Sequence, residues 1–242
     1  MTTQNLLTLE GVHTHIGAYH ILHGVDLAVP KGQLTMLLGR NGAGKTTTLR
    51  TIMGLWHASQ GRVRFGDKDI AAMHTPQIAE LGIAYVPENM GIFSDLTVKE
   101  NMLLAARGAK NAAQIDDTRL KWIFKLFPAV EKFWNHPAGK LSGGQKQMLA
   151  VSRAIVEPRE LLLIDEPSKG LAPVMINNMI DAFGELKRSG VTILLVEQNI
   201  NFAQRLGDNV AVMDNGRVVH SGGMAAFSAD AQLQQSLLGL AL

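Results

Sequence analysis

The stretch Gly39-Arg40-Asn41-Gly42-Ala43-Gly44-Lys45-Thr46-Thr47 fits G-x-x-x-x-G-K-[ST], the pattern of a phosphate-cradling loop. Leu34-Thr35-Met36-Leu37-Leu38 before it is an apolar run long enough for a buried strand, and Thr47 to Met53 after it can continue as a helix. That strand–loop–helix setting gives the pattern its meaning. Glycines let successive N–H groups turn inward, and the helix N-terminus adds partial positive charge. Lys45 can then reach the β- and γ-phosphates of a nucleotide, and the Thr46 hydroxyl can ligate Mg²⁺. The competing explanation is a Gly-rich turn that matches by accident. At average glycine usage such a match arises in about one percent of chains this long, so nucleotide binding is much the stronger reading.

The chain has 242 residues, enough for one large α/β domain or a domain carrying a subdomain. A hydrophobic content of 46% with 18% charged residues suits a folded globular protein. A net charge of +2 and the lack of any long Lys/Arg run argue against nucleic acid as a partner. There are no cysteines, which excludes disulfides and Cys-ligated metals and is compatible with a reducing cytoplasm. Met1-Thr2-Thr3-Gln4-Asn5 lacks the basic-then-apolar order of a signal peptide, and no run of 18 apolar residues occurs. The expectation is a chain soluble by itself that can dock on something that is not.

Taken in order, Leu6 to Val12 and Ile21 to Val29 read as strands, and Pro30-Lys31-Gly32 turns into the strand that feeds the loop. Gly61 to Phe65 and Lys68 to Ile70 flank Gly66-Asp67 as a hairpin. Thr75-Pro76 predicts a helix start with Thr75 as N-cap, ending near Gly82 before a short strand from Ile83 to Val86. Residues 91–158 change character: Val98 to Arg107, Asp117 to Phe127 and Gly143 to Val156 carry helical spacing. This predicts a helical insertion between residues 1–90 and 159–242 of an otherwise α/β chain. Leu161 to Ile164 and Val191 to Val196 are continuous apolar strands, as in a parallel sheet covered on both faces. Pro173 to Arg188 reads as a helix, Asn215-Gly216 predicts a hairpin between Val210–Asp214 and Arg217–His220, and Met224 to Leu242 looks helical.

Two further stretches carry chemistry. Leu161-Leu162-Leu163-Ile164-Asp165-Glu166 is an apolar strand ending in two carboxylates, where ligands gather in a parallel sheet. Asp165 then stands where a second Mg²⁺ contact is required, and Glu166 where a group must orient or deprotonate the attacking water. By itself this pattern is more often a solvated strand end; the loop at 39–47 gives it weight. Leu141-Ser142-Gly143-Gly144-Gln145 reads plainly as a Ser-capped helix start, and functionally as another anion-binding helix terminus.

In these three stretches, in this order, the chain resembles the ATP-binding subunits of ABC transporters. Gly39–Thr46 resembles their Walker A motif, Leu161–Glu166 their Walker B, and Leu141–Gln145 is their LSGGQ signature word for word. The resemblance covers essentially the whole chain. It implies one ABC ATPase domain over residues 1–242: a RecA-like P-loop core with a mostly parallel sheet, an N-terminal antiparallel β region, and a helical subdomain at 91–158. It further implies ATP and Mg²⁺ as cofactors and a head-to-tail dimer in which Ser142, Gly143, Gly144 and Gln145 meet a γ-phosphate bound by the partner chain.

Several family positions hold other residues here. The glutamine that senses the γ-phosphate and Mg²⁺ falls at Glu88, the switch histidine at Gln198, the D-loop aspartate at Ala172, and the adenine-stacking aromatic at Ile16, with Tyr19 nearby. Glutamine can hydrogen-bond a phosphate but cannot carry an imidazole's charge. Val-Pro-Glu at 86–88, Glu166 to Pro173, and Leu195 to Asn199 together resemble the second ATPase subunit of bacterial branched-chain amino acid importers. Phe93 to Asn101 resembles that branch too, where it lies near the permease; ordinary packing under a loop explains Phe93 and Leu96 equally well. The resemblance thus implies transmembrane permease subunits and a second, non-identical ATPase subunit as partners. A periplasmic binding protein would be met only indirectly, and the location would be the cytoplasmic side of the inner membrane. Related importers of urea, amides or other amino acids, and soluble ABC ATPases of assembly or repair complexes, are alternatives. A small-molecule P-loop kinase has no use for LSGGQ.

Overall fold

The computed structural model describes residues 4–106 and 115–239. Its strands, in chain order, begin with β1 (Asn5–Ile16), β2 (Tyr19–Pro30), β3 (Leu34–Gly39), β4 (Ala58–Phe65) and β5 (Lys68–Asp69). They continue with β6 (Ile83–Val86), β7 (Leu161–Asp165), β8 (Thr192–Val196), β9 (Asn209–Asp214) and β10 (Arg217–Gly223). The helices are α1 (Lys45–Ile52), α2 (Thr75–Glu80), α3 (Val98–Ala105), α4 (Asp117–Leu126) and α5 (Pro128–Lys132). After them come α6 (Gly143–Ala154), α7 (Pro173–Arg188), α8 (Ile200–Leu206), α9 (Met224–Ala229) and α10 (Ala231–Leu238). The expected helix ends at Arg107 and beyond Gly239 lie outside the described residues.

The main sheet has the order β10-β9-β3-β8-β7-β6. Its β9, β3, β8, β7 and β6 are parallel neighbours, and β10 closes it antiparallel. Side chains alternate between two apolar layers. Met36, Leu38, Leu162, Ile164, Ile193 and Leu195 face the core beneath the helices. Leu37, Leu161, Leu163, Leu194 and Val196 face the core under the antiparallel sheet. Both faces being covered is why these strands read as unbroken hydrophobic runs. All five parallel strands point their carboxyl ends at one edge. The second sheet, order β2-β1-β4-β5, is antiparallel and packs its apolar face with α1 on the main sheet. Buried Thr14 ties that sheet to α1 through Thr51, the two hydroxyls 3.1 Å apart.

The structure corrects some boundaries. β1 and β2 run longer than the predicted Leu6–Val12 and Ile21–Val29, because the register shifts repeatedly and hides the alternation. The helix expected to be capped by Thr75 has His74 as its N-cap, whose backbone N–H donates to Gln77 Oε1 at 3.0 Å. The β9–β10 turn forms at Asn215 (φ 45°) and Gly216 (φ 73°), the left-handed pair that the two-residue hairpin demands. A Cβ at Gly216 would lie 2.1 Å from the Ile21 carbonyl oxygen, so only glycine fits.

Four of the eight histidines share the outer face of the β1–β2 hairpin. Register pairs His13 with His23 and His15 with His20. The His15 and His20 rings stack at 4.1 Å, and His20 meets His23 at 4.1 Å. The rings stack instead of converging, and among the described residues no group of three or more His, Cys, Asp or Glu is arranged to hold a metal ion. Desolvation, then the nearby His20, Arg217, His13 and His15, push the His23 pKa below its ordinary 6.5. The unfolded chain therefore takes up that proton first, so the His23 contribution to stability is intact above pH 6.5 and is lost as the pH falls toward the lowered folded-state value. Thermal unfolding followed between about pH 7.5 and about pH 5.5 should show the wild type losing more stability than His23→Gln, and equal losses would contradict this account.

Candidate active site

The loop between β3 and α1 is shaped by glycines that nothing else can replace. Gly39 has φ 146°, and a Cβ there would lie 2.3 Å from the Met213 carbonyl oxygen. The loop wraps a cavity of about 360 Å³ lined by Asn41 to Thr47, Ile21, Glu88, Glu166 and Lys169. Lys45 is buried in its floor, its Nζ donating to the carbonyl oxygens of Gly39 (2.7 Å) and Arg40 (3.0 Å) and lying 3.8 Å from Glu166 Oε1. Burial pushes the Lys45 pKa down, while Glu166, Asp165 and Glu197 pull it back up. A cation held this way is desolvated and already aimed at the loop that receives the phosphates.

The other strand ends supply the opposing groups. Asp165 ends β7, fully buried, and accepts from the Thr46 hydroxyl at 3.1 Å and from Tyr85 Oη at 3.4 Å. Burial drives its pKa upward, partly countered by the Thr46 bond and reinforced by the charges of Glu166 and Glu88. Burial and the Asp165 charge drive the Tyr85 phenol to about 12. Glu166 follows in a left-handed conformation, φ 47°, which a residue with a side chain adopts only when its surroundings force it. Gln198, just beyond β8, donates through Nε2 to Asn41 Oδ1 at 2.7 Å and to Glu166 Oε1. Glu88, beyond β6, is paired with Lys169 at 2.6 Å.

The donor set suits Mg²⁺. A threonine hydroxyl and a carboxylate in contact are hard oxygen ligands, and among the described residues no cation lies at ion-pair distance from the buried Asp165. This ion commonly uses one or two protein oxygens, with substrate phosphates and water completing the shell. Glu88 faces the same cavity, but its carboxylate is engaged by Lys169.

Not every expected residue converges here. Gly39 and Arg40 shape the loop without lining the cavity. Ile16 and Tyr19 sit across the tip of the β1–β2 hairpin, outside it, with Tyr19 76% exposed, whereas Ile21 lines it. The 141–145 stretch is also elsewhere. Ser142 caps α6, its hydroxyl accepting from Gln145 N–H at 3.4 Å while Gln145 Oε1 accepts from Ser142 N–H at 2.9 Å. Gly144 packs under α7, where a Cβ would press to 2.6 Å of Met175, but nothing lies within 4 Å of the Cβ position at Gly143.

Sequence reasoning missed three supports. Buried Glu197 accepts from the backbone N–H groups of Ser168 (2.9 Å), Gln198 (3.0 Å) and Asn199 (3.2 Å), locking the loop after β7 to the loop after β8. Burial raises its pKa despite these bonds. Tyr85 and Lys169 complete the set. A glutamate directly after an apolar strand is a weak signal for Glu197; for Lys169 and Tyr85 only the fold reveals the contact.

Comparison with known proteins is consistent with this arrangement. The family model described as "ABC transporter" matches residues 22–169. The chain is 38% identical over 234 residues to the high-affinity branched-chain amino acid transport ATP-binding protein BraG of Pseudomonas aeruginosa, covering 97% of this chain and 100% of that one. The crystal structure of the ADP conformation of MJ1267, an ATP-binding cassette of an ABC transporter, superposes with a TM-score of 0.80 at 26% identity, covering 96% of this chain and 98% of that one. The dimeric structure of MJ0796, a bacterial ABC transporter cassette, gives 0.80 at 25% identity, covering 90% and 98%. A phosphate loop, a buried strand-end aspartate and the LSGGQ helix start on this fold have one common reading: the chain belongs to the ABC transporter family, as one of its ATP-hydrolysing cassettes.

Proposed function

We propose that this cassette drives uptake of branched-chain or related amino acids, docked on permease subunits at the cytoplasmic side of a bacterial inner membrane. The observation that carries the catalytic part is the convergence of Lys45, Thr46, Asp165, Glu166 and Gln198 at the carboxyl edge of one parallel sheet. The cargo class rests on the end-to-end similarity to a branched-chain amino acid transport protein.

In this reading the 39–47 loop holds the ATP phosphates, with Lys45 leaving its backbone carbonyls for the β- and γ-phosphates. Thr46 and Asp165 would hold Mg²⁺, which would supply neutralisation of the developing phosphate charge. Glu166, oriented by Gln198 and by its own strained backbone, holds the attacking water and takes its proton. Ile21 stands nearer the bound nucleotide than Ile16 or Tyr19. The open space above Gly143 and the exposed Ser142 leave the α6 terminus free to meet the γ-phosphate in a partner's site, so closure of a head-to-tail dimer is the output.

Gln198 and Ala172 in one chain favour a non-identical partner that contributes the histidine in its own site. For the permease, the proposed seat is the groove of about 610 Å³ lined by Met53, Leu55, Tyr85, Pro87, Met90 and Arg153. Phe93 stands at its rim, 49% exposed under the Arg153 guanidinium. Buried Asn101 pins that loop, accepting from Phe93 N–H and donating to its carbonyl, both at 2.9 Å.

Glu166→Gln should keep ATP binding while turnover falls by about a hundredfold or more, and Lys45→Ala should weaken binding by about tenfold or more. Asp165→Asn should abolish hydrolysis yet raise the melting temperature of the nucleotide-free chain by about 2–4 °C, because it removes a buried charge and keeps both hydrogen-bond partners. Normal turnover in Glu166→Gln would sink the assignment. Turnover measured for this chain alone, with its partner, and as Gln198→His separates unequal from equal sites: a lone homodimer as fast as the full complex excludes asymmetry. Phe93→Asp should lose co-purification with the permease while basal ATPase activity persists; retained association would move the docking surface elsewhere.

A further inference from the structure

Lys169 is a cation at the cavity that the catalytic assignment leaves without a role. It lies in the turn between β7 and α7 with its backbone N–H bonded to the Glu166 carbonyl at 3.2 Å, and the preceding Ser168 N–H is anchored on Glu197. From that fixed base its side chain crosses the cavity mouth. Nζ reaches Glu88 Oε1 at 2.6 Å and Glu166 Oε2 at 3.6 Å, joining the ends of β6 and β7. All three side chains line the cavity that also holds Lys45.

The charge balance explains the need. Glu166 and Glu88 set two carboxylates on the wall of a cavity that is to receive a polyphosphate, and a third, Asp165, lies buried behind Thr46. A neutral glutamine at 88 would bring no charge; Glu88 brings one, at a position open to solvent and phosphate alike. Among the described residues, Lys169 is the only cation at ion-pair distance from Glu88.

We propose that Lys169 is a positioning residue of the nucleotide site: it neutralises Glu88 at the γ-phosphate end and holds Glu88 and Glu166 in one network, so that an acid at 88 is tolerated beside ATP. The inference rests on the reading of this cavity as the ATP site. It also separates two neighbours in role, Glu166 acting on water and Lys169 keeping the rim from repelling the substrate.

Equilibrium binding of a fluorescent ATP analogue with Mg²⁺ to the purified full chain tests it, with kcat and KM measured in the assembled transporter. Lys169→Met should weaken binding about five- to tenfold and raise KM more than it lowers kcat, and Lys169→Arg should stay within about twofold. In the Glu88→Gln background the same Lys169→Met change should cost less than about twofold, because the charge it offsets has gone. An unchanged or tightened affinity in Lys169→Met overturns the proposal, as does an equal penalty in both backgrounds. Lys45→Ala serves as the control. If it binds normally, the site reading has failed; if it loses binding and Lys169→Met does not, only the role of Lys169 has. Matching melting curves establish that each variant is folded.

Discussion

A buried lysine and a buried aspartate share one edge of a parallel sheet without touching, and the rest of the molecule is arranged to make that tolerable. Lys45 gives its protons to two backbone carbonyls of its own loop, and Asp165 takes hydrogen bonds from Thr46 and Tyr85. Each is partly satisfied, and burial still works against both charges. A fold held only for stability would replace such groups; one that must receive phosphates and a divalent cation keeps them. The sheet order explains how they meet. β8 separates β3 from β7, so the loops after three adjacent strands face one cavity, with the loop after β6 closing its rim.

Most of the fold was legible because burial wrote itself into the strands. Leu161 to Asp165 and Thr192 to Val196 are buried at every position, and only a sheet covered on both faces gives that pattern. The hairpin at Asn215-Gly216 was readable for an equally local reason, the left-handed backbone it demands. The edges of β1 and β2 were not. Their alternation is broken by register shifts, and the histidines that carry it outward are neither clearly apolar nor clearly charged. His74 displaced Thr75 as N-cap because position, fixed by the preceding turn, overrode the better capping side chain.

The site divides along the same line. Residues held by a local motif, Gly39 to Thr47 and Asp165 with Glu166, stand where the chain spacing put them. Residues brought in by topology were all but invisible, Glu197 leaving only the weak signal of an acid after an apolar strand. Glu197, Tyr85 and Lys169 lie on different strands' ends, and no spacing along the chain announces that they share a cavity edge. Ile21 is the subtler case. The resemblance puts the aromatic position at Ile16, yet it is Ile21 that lines the cavity, and Tyr19 stands in solvent.

The departures at 88, 172 and 198 gain meaning from where they lie. Gln198 spans Asn41 of the phosphate loop and Glu166, so even without an imidazole it ties that loop to the carboxylate after β7. Ala172 begins α7 with no side-chain cap, a position where an aspartate would stabilise the helix by about 1 kcal/mol, so its absence is not a gain in stability for this chain. Glu88 is answered within the chain by Lys169, but among the described residues nothing answers the missing charge at 198. A substitution compensated in cis leaves the site self-sufficient, and one left uncompensated shifts the requirement to another chain. By that argument the pair at 88 and 169 is complete within this cassette's own cavity, and positions 172 and 198 are where the non-identical partner we propose would make its difference.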